Sequence, residues 1–162
     1  AGACAGPTSS GGGSALMALE YRRRDKAQAH CLLTPDAAGS SALAKFLREQ
    51  LEANGTRGGE LARMVVVADE LFALCRRRAP RDGRIMAECA VPPGEGLILL
   101  RLRGDFGGVS PLERLEEAAE HAAAFISANC DRTLFEHTES VDTVTAIKRL
   151  NVEARREEGR FV

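Results

Sequence analysis

The chain has 162 residues, about one domain, and its 44% hydrophobic content can supply a core without disulfides or a structural metal. Lys and Arg number 22 against 23 Asp and Glu, a formal net charge of −1, which argues against a surface built as a whole for nucleic acid or anionic lipid. No apolar run approaches the roughly 20 residues that cross a bilayer, and the 4% aromatic content, with no Trp, leaves little for base stacking.

Residues 1–20 hold Gly6-Pro7 and Ser9-Ser10-Gly11-Gly12-Gly13-Ser14 with no periodic apolar face, so a flexible leader is expected there. The N-terminus shows no basic region followed by an apolar core, so no secretory signal is expected and the expected location is the cytoplasm. A folded domain is expected over 21–150. Ala27, Ala29, Cys31 and Leu33 alternate with Gln28, His30 and Leu32, a strand pattern closed by Pro35. Asp36 then offers a helix N-cap, Leu43, Phe46, Leu47 and Leu51 follow at helical spacing, and Asn54-Gly55 supplies a left-handed stop. A second helix is expected from Gly59-Glu60, with Leu61, Met64, Val65, Ala68, Leu71, Phe72 and Cys75 in one stripe and Pro80 ending it.

Residues 85–91 alternate as a strand, Pro92-Pro93-Gly94 breaks the chain, and Leu97-Ile98-Leu99-Leu100-Arg101-Leu102 reads as a more buried strand paired with the first. After the Gly104–Gly108 turn, Ser110 and Pro111 predict a third helix running from Pro111 to about Asn129, with Leu112, Leu115, Ala119, Ala122 and Phe125 inward. Two last strands are expected around 133–136 and 141–150, on either side of Glu139-Ser140, and a charged tail over 151–162. Helices interrupting a sheet in this order predict an α/β (α+β) two-layer sandwich, its mixed, mostly antiparallel sheet covered on one face by about three helices. No glycine-rich dinucleotide or P-loop signature occurs.

The five cysteines, Cys4, Cys31, Cys75, Cys89 and Cys130, include no C-x-x-C pair, so buried reduced thiols are expected rather than a zinc site. His121 and His137 read as isolated structural or surface histidines. Arg76-Arg77-Arg78 spreads over more than half a helix circumference, which suits a solvated helix end better than a DNA-reading face.

Chemistry is concentrated in two places. Glu70 lies beside the apolar stripe of the second helix, in Asp69-Glu70-Leu71-Phe72, and Asp105-Phe106-Gly107 occupies the turn after a buried strand. With the element order, these residues resemble the anti-sigma factor serine kinase family of bacteria, within the GHKL (histidine-kinase-like) ATPase fold. Ser41-Ala42-Leu43-Ala44-Lys45-Phe46-Leu47 is similar to that family's first helix. Val66-Val67-Ala68-Asp69-Glu70-Leu71-Phe72, with Arg77 and Ala79, is similar to its N box. Leu99-Leu100-Arg101-Leu102-Arg103-Gly104-Asp105-Phe106-Gly107 resembles its first glycine box. Asp131-Arg132-Thr133-Leu134-Phe135-Glu136 and Thr143-Val144-Thr145-Ala146-Ile147-Lys148-Arg149-Leu150 resemble its closing hairpin.

The resemblance implies ATP as cofactor and a role for each matching residue. It makes Glu70 the general base, Arg77 a phosphate neighbour, and Asp105 the acceptor for the adenine amino group. Gly107 becomes the point where backbone approaches the purine, and Thr143 a hydroxyl near the same edge. It also implies partners: a sigma factor or an anti-sigma antagonist protein, with a homodimer left open and no direct nucleic-acid or membrane contact.

The chain departs from the family at the most demanding positions. Leu74 stands four residues after Glu70, where the family has the Asn that holds Mg²⁺, and a hydrocarbon cannot ligate a hard cation. Ala118-Ala119-Glu120-His121-Ala122-Ala123-Ala124 replaces the glycine-rich lid. Weakened or lost Mg-ATP chemistry, with function through protein–protein binding, is therefore the expectation; no metal ligand set is assigned. The alternatives are an active serine protein kinase with a displaced metal ligand, and an interaction module with no nucleotide site.

Overall fold

The structure, a computed structural model, describes residues 29–92, 94–113 and 116–150. The expected leader (1–20), the tail (151–162), the start of the expected first strand and Leu115 lie outside the described residues. The elements in chain order are β1 (Ala29–Leu33), α1 (Ala37–Ala53), α2 (Gly58–Arg78), β2 (Ile85–Ala90), β3 (Leu97–Gly104), α3 (Glu117–Asn129), β4 (Arg132–Thr138) and β5 (Val141–Arg149).

Local chemistry accounts for most boundaries. The Asp36 carboxylate accepts a hydrogen bond from the Gly39 amide at 2.9 Å and caps α1. The Thr34 hydroxyl donates to the same carboxylate at 2.7 Å, and this bond, ahead of the Gly39 one, holds the Asp36 carboxyl below its ordinary value. Gly55 leaves α1 at φ +82°, a conformation that costs an L side chain. At the other end of α2, Ala79 is extended at ψ 142°, as the residue before a proline is pushed to be.

The start of α3 corrects the sequence expectation. Residues 111–113 form a turn in which the Leu112 amide donates to the Ser110 hydroxyl at 3.2 Å and the Glu113 amide to the Ser110 carbonyl at 3.0 Å. The helix begins only at Glu117. The reason lies at the end of α2, where the Arg78 guanidinium donates to the Glu113 carbonyl at 2.9 Å. That bond ties the 111–113 turn to the end of α2 and draws the Glu113 carbonyl out towards the guanidinium.

The sheet is antiparallel at every described pairing, in the order β1-β2-β3-β5-β4, so β5 is inserted between the two strands that α3 connects. Register puts Leu33, Ile85, Ala87, Cys89, Ile98, Leu100, Leu102, Val144 and Ala146 on one face, all buried. The helices cover that face, which makes the fold a two-layer α+β sandwich. The middle helix, α2, packs against both α1 and α3 and brings Met64, Val67, Ala68, Leu71, Phe72, Leu74 and Cys75 to the core. Burial pushes the Cys75 thiol far above its ordinary value, so it is an inert apolar filler. A Cβ at Gly39 would collide with the Thr34 carbonyl and lie 3.0 Å from the Phe72 ring, so the first turn of α1 sits directly on the end of β1.

The opposite face is mixed. Glu88 on β2 lies only 8% exposed between Arg101 and Arg103 of β3, at 3.8 and 3.5 Å. Leu32, Leu134 and Val141 are exposed on this same face. Among the described residues no helix is long and apolar enough to cross a membrane.

Candidate functional site

The residues singled out from the sequence fall into three places. Glu70 and Arg77 stand two turns apart along α2, on the same side of the helix. Glu70 is half-buried at the margin of the Val67–Leu71 stripe, and Arg77 is exposed. Asp69 is turned out and accepts a hydrogen bond from the Ser40 hydroxyl, which ties α2 to α1. Leu74, one turn after Glu70, is 4% exposed and belongs to the core. The Arg76-Arg77-Arg78 run is divided in its work, since Arg78 is engaged by the Glu113 carbonyl.

The second place is the loop after β3. Asp105 is exposed, and its carboxylate accepts a hydrogen bond from the Gly107 amide at 3.1 Å, a tight Asx turn. Gly107 and Gly108 follow at φ +78° and +75°, which only glycine adopts without strain. Between them and β3, the Phe106 side chain is fully buried; a Cβ on Gly104 would lie 3.1 Å from its ring. The loop is thus pinned at its root by an aromatic ring and open at its glycine half.

What pins the loop's backbone was not legible in the sequence. Asp142, 1% exposed at the start of β5, accepts hydrogen bonds from the Phe106 amide at 2.7 Å and the Gly108 amide at 3.0 Å. Its other carboxylate oxygen faces His137 Nδ1 at 2.5 Å. Burial pushes the Asp142 carboxyl up; the His137 hydrogen bond, the Gly108 and Phe106 amides and the His137 charge outweigh it and leave the group below its ordinary value. The His137 side chain is half-exposed, and its ring packs over Gly108, 3.6 Å from where a Cβ would stand.

His137 is therefore not isolated, which corrects the sequence reading. The signal that would have found the pair is the two-residue turn at Glu139-Ser140. Such a turn sets Thr138 opposite Val141 and hence His137 opposite Asp142, as observed. The same register places Thr143 one residue on, between Arg103 and Glu136, on the sheet face turned away from the helices. The structure so brings Asp105 and Gly107 together in one loop and sets Glu70 and Arg77 along one helix. Thr143 stands apart from both, across the sheet.

A cleft of about 370 Å³ opens between the 110–113 turn and β4, lined by Ser110, Leu112, Glu113, Thr133, Leu134 and Phe135. None of Glu70, Arg77, Asp105, Gly107 and Thr143 lines it. Residues 118–124, set by the resemblance against a glycine-rich lid, are helical throughout, so most of their amides serve the helix rather than a phosphate. Among the described residues, no group of three or more His, Cys, Asp or Glu side chains gathers to hold a metal ion. Neither the known protein-family models nor the curated proteins include a match to this chain.

Proposed function

We propose that the chain is a regulatory domain of the anti-sigma factor serine kinase type in which Mg-ATP chemistry is weakened or lost, and that it acts by binding partner proteins. The observation that carries this reading is Leu74. The position that the resemblance assigns to a magnesium-holding amide is filled by a hydrocarbon side chain inside the core. Mg²⁺ demands oxygen ligands in near-octahedral geometry, and this position offers none. The residues present do not fit that ion, and no phosphoryl-transfer step is derived through it.

The nucleotide itself meets a better fit. Asp105 keeps an exposed carboxylate in a loop whose glycines allow close backbone approach, which suits a hydrogen bond from an exocyclic amino group of a purine. Element order and the two-layer architecture support the family reading beside these residues. A sigma factor or its antagonist is the partner class that the resemblance suggests, and self-association belongs to the same proposal. An interaction module without any nucleotide site is the second reading, favoured by the one fact that the described cleft lies away from every assigned residue.

Calorimetry with ATP and with ADP, each with and without Mg²⁺, tests the proposal. Weak nucleotide binding that is insensitive to Mg²⁺ and unchanged in Glu70→Gln is the expected result. Micromolar binding that requires Mg²⁺ and is lost in Glu70→Gln would instead identify a working kinase. No binding at millimolar nucleotide would leave only the interaction module.

A further inference from the structure

The β4–β5 hairpin and the 105–108 loop are joined by one buried carboxylate. Asp142 holds the loop amides with one oxygen and faces His137 with the other. The two halves of the loop are not held equally. At Phe106 a fully buried ring fixes the backbone whatever Asp142 does. At Gly107 a Cβ would meet nothing within 4 Å, and at Gly108 the three atoms nearest to one all belong to the His137 ring. The glycine half is held by the local Gly107–Asp105 turn and, across to the hairpin, by the Gly108–Asp142 hydrogen bond and the imidazole that orients and neutralises that carboxylate.

We propose that the His137–Asp142 pair is a protonation-controlled latch on the Gly107–Gly108 half of the loop, tight while His137 carries its second proton and looser once that proton is lost. The physical basis is charge: an imidazolium beside the ionised Asp142 adds ion-pair attraction to their hydrogen bond, and a neutral imidazole leaves the hydrogen bond alone. Histidine is the side chain whose charge ordinarily changes within the pH range of cells. The surroundings leave His137 as the charge partner of Asp142. Asp105 is turned outward on the Gly107 amide. Glu136 and Arg103 flank Thr143 on the other sheet face, Arg84 is engaged by the Asp82 and Gly83 carbonyls, and Glu139 lies in the exposed hairpin turn.

The latch bears on function through Asp105 and Gly107, and in that respect it rests on the reading of this loop as a nucleotide-recognition element. The latch itself is independent of any ligand, so its test begins without one. In the full chain, amide and imidazole resonances are followed by NMR from pH 5 to pH 8, together with amide exchange rates corrected for their intrinsic pH dependence. The Gly108 amide should move with the His137 ring at a single shared midpoint, the Phe106 amide less. Protection of Gly108 should fall about tenfold towards pH 8, the factor that corresponds to about 1.4 kcal/mol. In His137→Gln, whose half-exposed site tolerates substitution, both responses should vanish while the spectrum stays dispersed. A Gly108 amide that stays flat while the His137 ring titrates overturns the latch, as does an unchanged response in His137→Gln. ATP affinity measured at the two pH extremes then separates the two claims. A latch that titrates in a protein that binds no ATP stands, and only the recognition reading of the loop fails.

Discussion

On α2 and around the 105–108 loop, the two halves of the candidate site have been built from opposite materials. On α2 the position one turn beyond Glu70 is the buried hydrocarbon Leu74, and the neighbouring polar groups either face outward, like Asp69, or brace other elements, like Arg78. Around the loop a buried carboxylate is used three times over, by two backbone amides and an imidazole. The first half serves packing. The second keeps an exposed Asp105 and two left-handed glycines in a defined geometry, which apolar packing alone would not specify. On the proposed reading, the α2 half offers a metal no footing, while the loop half can present outward-facing chemistry to a purine or a protein partner.

The sharpest way to break this contrast is Leu74→Asn, the substitution that would install the amide the resemblance assigns to that position. If residue 74 is a core position, the variant loses a buried side chain and gains an unpaired amide. It should be destabilised by about 3–4 kcal/mol in denaturant unfolding, with no Mg²⁺-dependent ATP binding gained. A loss of under about 1 kcal/mol together with new Mg²⁺-dependent binding would move residue 74 from the core to the site.

Much of this architecture is legible in the sequence because local rules agree. The α2 stripe from Leu61 to Cys75 is apolar at helical spacing, and the same residues pack in the core. Asp36 and Gly55 mark the ends of α1 where their side chain and backbone chemistry says they should. The failures share one cause, a partner distant in sequence. Pro111 reads as a helix start, yet residues 111–113 form a turn that Arg78, 35 residues away from Glu113, ties to the end of α2. Asp142 carries no sequence signal of its own, yet it is buried on the core side, where a loop about 36 residues earlier delivers two amides to it. The face on which Thr143 stands is set by the pleat, away from the helices.

The loop half can be tested through Asp142→Asn, which keeps the shape and removes the charge. Loss of charge-assisted bonds to a buried acceptor should lower stability at neutral pH by about 2 kcal/mol. The difference has a definite pH sign. The carboxyl of Asp142 is held below its ordinary value in the folded state, so its contribution is complete above the unfolded carboxylate value and is lost as pH falls through the lowered one. Wild type and variant should therefore converge in acid and separate towards neutrality. A gap that stays constant from the acid range to pH 7 would mean that the carboxylate's charge is not what secures the loop.

A smaller and opposite effect is expected in the turn that sets the His137–Asp142 register. Glu139 is the one non-glycine residue with positive φ among the described residues, at +55°. Glu139→Gly removes the side chain that disfavours this conformation and should stabilise the protein by up to about 1 kcal/mol, read as a rise in Tm. Because the hairpin carries both members of the pair, the same variant should leave the Gly108 amide environment unchanged. A shift there would show that the turn, not the pair, sets the loop.

The smallest effect on stability should come from Asp105→Asn, and that is what makes it informative. The residue is exposed, and an asparagine carbonyl can accept the Gly107 amide as the carboxylate does, so stability should change by less than about 0.5 kcal/mol. The fold would then be constant while the loop's outward-facing chemistry changes from acceptor to mixed donor and acceptor. If the loop reads a purine amino group, ATP and ADP affinity should fall about tenfold or more, since one face of the recognition pair is mismatched. If both affinities are unaltered in a variant of wild-type stability, Asp105 does not contact the base.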